Sequence, residues 1–154
     1  MRAPKLVQHM KANAVRVSEG LLQRIRNSHK CGTLIARVPA EEHKRATVEI
    51  YLDLMDWLAG EADAIIEERY VAFGVRRAQQ KVPYTDVFWA VCLAREYLWE
   101  YMQQECLLEE PVEFWGGVVL LHSLNQFFDR VLYYTLTGYY NVGKGEAAQY
   151  GVPA

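Results

Sequence analysis

Apolar residues recur every three or four positions along almost the whole chain, and no segment keeps a two-residue alternation. That pattern commits the backbone to amphipathic helices rather than sheets. Val7, Met10, Ala14, Val17, Leu21 and Ile25 form one stripe of a first helix, Pro4 to Asn27, with Lys5, Lys11, Arg16 and Arg24 off it. This stripe is narrow and near-heptad, the form of a pairing helix, so Val7, Met10, Ala14, Val17 and Leu21 are candidate dimer contacts. Gly32 and Thr33 mark a loop, and Pro39-Ala40-Glu41-Glu42 opens a second helix that Gly60 ends.

A third helix carries Ile65, Ile66, Tyr70, Phe73 and Arg77 along one side to about Gln80. Thr85 is the expected N-cap of a fourth, which closes around Leu107 to Pro111. The fifth runs from Val112 to Thr137, is ended by Gly138, and is apolar nearly all round in its first half, which predicts a course through the middle of the bundle. The expected fold is therefore all-α: one helical bundle of about five helices in a single domain spanning residues 1–154. Its parts are a basic N-terminal helix over 1–30 and a loosely ordered tail over 139–154. Tyr133, Tyr134, Tyr139, Tyr140 and Tyr150 crowd the C-terminal quarter, where they finish the core or form an interface.

A length of 154 residues suits one domain and leaves no room for a second of ordinary size. Residues 1–45 carry +7 and residues 46–154 carry −9. The basic segment is expected to lie against the acidic body, in the same chain or a symmetric partner; with a pI near 6.1, nucleic acid is not the expected partner. Three cysteines without C-x-x-C spacing argue against a disulfide framework or zinc site and fit a cytoplasmic location. The N-terminus lacks an apolar signal-peptide core, and Phe114 to Leu124 is too short to span a membrane.

Signatures of chemistry are sparse. No His stands in H-E-x-x-H or E-x-x-H spacing, and neither common glycine-rich phosphate loop occurs, so no catalytic residue and no metal ligand is assigned. His122, inside Val118-Val119-Leu120-Leu121-His122-Ser123-Leu124, is the exception. An imidazole enclosed there would be a core histidine with a hydrogen-bond partner or, as the alternative, a ligand to haem. Gly116 and Gly117 allow close helix packing or room for a hydrophobic ligand, and Tyr70 joins them as a candidate lining residue. No cofactor is otherwise expected.

The segment Glu68 to Glu100, ERYVAFGVRRAQQKVPYTDVFWAVCLAREYLWE, contains Gly74-Val75-Arg76-Arg77-Ala78, then Val82-Pro83-Tyr84-Thr85-Asp86-Val87, then Arg95 and Leu98. It resembles the N-terminal domain of the RsbT co-antagonist proteins, the RsbR/RsbRD-type regulators, over about residues 35–138. Gly74, Arg77, Ala78, Asp86 and Arg95 carry the resemblance, and Lys81 stands where the family pattern usually has glycine. The resemblance implies a non-enzymatic, globin-like sensor without haem that dimerises in bacterial stress or transcription regulation. Such input modules precede an output module for which residues after Gly138 leave no room. The expectation is action through a separate regulatory protein, unless the chain is a piece of a longer one. From the residues themselves, Gly74 predicts close helix contact, and Arg77 predicts an ion pair with an acid such as Asp86 or Glu96.

Overall fold

Proline and glycine set the boundaries of the helices. The structure, a computed structural model, describes residues 4–105 and 114–149. Six α-helices follow one another: α1 (Pro4–Asn27), α2 (Gly32–Arg37), α3 (Ala40–Leu58), α4 (Asp63–Gln79), α5 (Tyr84–Gln104) and α6 (Phe114–Gln149). Every regular element among the described residues is helical, as the periodicity predicts. None is long and apolar enough to cross a membrane.

The predicted loop at Gly32 and Thr33 is instead a short turn, His29–Cys31, running into α2, because Gly32 takes ordinary helical dihedrals. Thr85 is not a cap: Pro83 is extended, and its carbonyl accepts the amides of Asp86 and Val87, so α5 starts two residues earlier than a Thr85 cap implies, at Tyr84. Gly60 ends α3 as expected, at φ +103°. The amide of Gly60 bonds back to Trp57 and that of Glu61 to Asp56, the paired bonds of a left-handed helix stop.

The apolar stripe of α1 packs into the chain's own core. Val7, Met10, Ala14, Val17, Leu21 and Ile25 are all buried along α3 and α5, so the dimer contacts expected from that stripe are not available to a partner. A near-heptad stripe fits any facing helix, including one from the same chain. The helix bends at Asn13 (φ −119°, ψ 15°), where the side-chain amide donates to the His9 carbonyl at 2.8 Å and competes with the backbone ladder. Charge follows the predicted division: Arg16 pairs with Glu105, and Arg24 with Glu100, laying basic α1 on acidic α5.

Helix α6 passes through Gly138 rather than stopping there and continues to Gln149, across most of the segment expected to be a loose tail. It does not run through the centre. One side carries the fully buried Phe127, Phe128 and Val131, while the other leaves Val118, Val119, Tyr133, Leu136 and Tyr140 exposed.

Helices α4 and α6 cross with almost no side chain between them. A Cβ on Gly74 would lie 2.0 Å from the Thr135 carbonyl oxygen, and one on Gly138 would lie 2.0 Å from the Val71 carbonyl oxygen. The two glycines face each other's helices, so each backbone occupies the space a side chain would need. Gly138 therefore serves contact between helices, which explains why the helix does not end there.

Candidate functional site

One motif residue of α4, Arg77, sits in a charged joint between helices α3 and α4. Arg77 is only 2% exposed. Its Nη1 lies 3.7 Å from Glu42 Oε1 at the start of α3 and donates to Gln80 Oε1 at 3.0 Å. Gln80 Nε2 in turn donates to Glu42 Oε2 at 2.9 Å, closing a three-residue ring. The guanidinium sits 4.5 Å from the centroid of the Phe73 ring, and its Nε has no hydrogen-bond partner among the described residues. Burial pulls the Arg77 pKa below its ordinary value while Glu42 supports the charge. Arg77 thus pairs with neither expected acid, because Glu96 is exposed and Asp86 faces α2.

Asp86, though buried, caps a helix other than its own. Its Oδ2 accepts the Leu34 amide at 3.1 Å, in the first turn of α2, and its backbone carbonyl receives the Cys31 thiol at 3.7 Å. Burial pushes that thiol up to about 11. His43, also buried, donates from Nε2 to the Leu34 carbonyl at 3.1 Å, and burial lowers its pKa. One short helix is therefore held at Leu34 by residues from α3 and α5.

The turn after α4 is built on Lys81. Lys81 adopts φ +61°, the left-handed conformation glycine takes most readily. Its amide bonds to the Ala78 carbonyl and the Val82 amide to the Arg77 carbonyl, so the geometry is kept with a lysine in place. Ala78 is buried behind this turn.

Other predicted residues lie apart. Arg95 joins α5 to α6, with Nη1 3.5 Å from Asp129 Oδ1. Tyr70 is a core residue, its hydroxyl donating to Asp53 Oδ2 at 2.7 Å and its ring edge-on to Phe127. Burial raises the pKa of both Tyr70 and Asp53. His122 is exposed in the single chain, so the apolar enclosure expected of it is not formed. Its neighbours Leu120, Ser123 and Leu124 turn inward and His122 outward, a phase that an almost wholly apolar run conceals. Gly116 and Gly117 lie at the start of α6, where side-chain surroundings fall outside the described residues; so do Cys106 and Tyr150. His122 faces outward and Tyr70 lies in the core, so these two do not line a common pocket.

The tyrosines of α6 divide between the inner and outer sides of the helix. Tyr134 bonds to Asp63 and Tyr139 donates to the Val82 carbonyl at 2.6 Å, whereas Tyr133 and Tyr140 point to solvent. Glu42, Gln80 and His43 escaped sequence reasoning. Glu42 reads only as an acid at a helix start, and the spacing of Arg77 to Gln80 was the one local signal for the ring. Among the described residues no group of three or more His, Cys, Asp or Glu could hold a metal ion.

Comparison with curated proteins and with solved structures returns no match. A family model, the RsbT co-antagonist protein rsbRD N-terminal domain, matches residues 16–143, from the middle of α1 to near the end of α6. It takes in the Arg77 ring, the Lys81 turn and the glycine crossing of α4 with α6. This chain belongs to the RsbT co-antagonist protein rsbRD N-terminal domain family.

Proposed function

We propose that the chain is a non-enzymatic regulatory module of RsbR-type stress signalling that acts in the cytoplasm, pairs with a second copy of itself and passes its state to a regulatory protein. The family match over residues 16–143 carries this reading. The chemistry of the joint supports it. Arg77, Glu42, Asp86, His43 and Asp53 are engaged in bonds between or along helices, an arrangement suited to fixing helix positions. A joint of this kind couples the placement of α2, α3, α4 and α5, so a disturbance at one helix is felt at the others.

Native mass spectrometry of the intact chain, purified under gentle conditions, tests the reading. A dimer at twice the polypeptide mass of 17.8 kDa is expected. A monomer throughout would contradict the pairing, and stoichiometric added mass would make the module a ligand-binding one.

A further inference from the structure

We propose that the exposed face of α6 between Asp129 and Lys144 is where two copies of the chain pair, antiparallel, about a two-fold axis passing between Leu136 and Thr137. The inference rests on the homodimer reading above and assigns that dimer a surface. Tyr133, Leu136 and Tyr140 are 67%, 45% and 54% exposed, an unusual outlay of large apolar side chains on one helix. With Asp129 and Lys144 they are spaced by four, three, four and four residues, which puts all five on one stripe about 22 Å long. The opposite side of the helix, at Thr135 and Gly138, is the one closed against α4.

The order of charges selects both the occupant and the direction. In the antiparallel register Asp129 of each copy meets Lys144 of the other, Tyr133 meets Tyr140, and the two Leu136 side chains flank the axis. The stripe is complementary to itself, as an isologous contact requires. A parallel pairing in register would set Asp129 on Asp129 and Lys144 on Lys144, so like charges oppose it. Asp129 remains available, being 71% exposed even with Arg95 at 3.5 Å. Lys144 lies over the Tyr140 ring at 4.7 Å, at the far end of the same stripe.

The apolar surface extends sideways beyond α6. Tyr139 meets Tyr84 at 5.5 Å between ring centroids, and Tyr84 meets Phe88 at 6.2 Å. Phe88 is 43% exposed beside an open hollow of about 490 Å³ that it shares with Tyr84, Trp89 and Lys30. This adjoining aromatic ground widens the contact beyond a single helix stripe, which a stable dimer needs.

The test uses the full chain carrying Leu136→Cys. Next to the axis, this cysteine is expected to form a disulfide-linked dimer on mild oxidation, whereas Val15→Cys, exposed on α1, is not. Leu136→Arg is expected to raise the dimer Kd by about tenfold or more, read by analytical ultracentrifugation with circular dichroism confirming the fold. Asp129→Lys and Lys144→Glu should each weaken the dimer, and the double variant should recover it. A wild-type dimer indifferent to Leu136→Arg and to the charge variants would overturn this surface while leaving the homodimer reading intact. A wild-type chain that is monomeric at every concentration would overturn both.

Discussion

The backbone of Gly74 rests against the carbonyl of Thr135 so closely that a Cβ on the glycine would lie 2.0 Å from that oxygen. Gly138 meets Val71 in the same way from the other helix. Ala at either position must force α4 and α6 apart, an overpacking cost of about 1–3 kcal/mol that outweighs the roughly 1 kcal/mol gained in helix propensity. Gly145, with open space around its Cβ position, should give the opposite sign, a gain of up to about 1 kcal/mol in Gly145→Ala. Urea denaturation of the three variants checks both signs.

Arg77 depends on Glu42, its nearest acid, at 3.7 Å. Glu42→Ala strands a buried guanidinium and removes the acceptor of Gln80. Because Glu42 is 27% exposed, the expected loss is about 1–3 kcal/mol, below that for a fully buried pair. Arg77→Met in the Glu42→Ala background should recover part of it, since an uncharged chain of similar length no longer needs the acid. A double-mutant cycle by chemical denaturation measures the coupling.

Lys81 holds a left-handed conformation that costs a non-glycine residue about 1–2 kcal/mol. Lys81→Gly should therefore stabilise the chain by about 0.5–1 kcal/mol, net of the extra entropy glycine gives the unfolded state. Lys81→Val should destabilise it, because a β-branched side chain tolerates that region least. Thermal melts followed by circular dichroism distinguish the two.

His43 is buried with its pKa lowered, so the fold favours neutral imidazole and the unfolded chain binds the proton more readily. The stabilisation is complete above the ordinary histidine pKa near 6.5 and is lost as pH falls through that value toward the lower pKa of the folded state. Urea midpoints should fall as the buffer is taken from neutral to mildly acidic, and His43→Gln should reduce that dependence.

Helix class and most helix boundaries were legible in the sequence because periodicity, proline and glycine act locally. The stripe on α1, the Gly60 stop and the need for close approach at Gly74 follow from such signals. Who meets whom was not legible. The spacing of Arg77 identifies a buried cation without saying that Glu42, 35 positions earlier, is the acid beside it. Gly138 reads as a stop until Val71 is seen against it. The run around His122 is so uniformly apolar that its helical phase, and hence which residue faces out, is fixed only by tertiary packing, which sets Ser123 against Trp57 of α3. The stripe on α1 shows the same limit from the other side: a pairing helix is legible, but the partner is the chain itself.

Sedimentation equilibrium of the full chain over a wide concentration range tests the central claim, that this family member works as a pair of helical modules, most directly. The account predicts a reversible association to twice 17.8 kDa that Leu136→Arg weakens. A single species of 17.8 kDa at every concentration would contradict it.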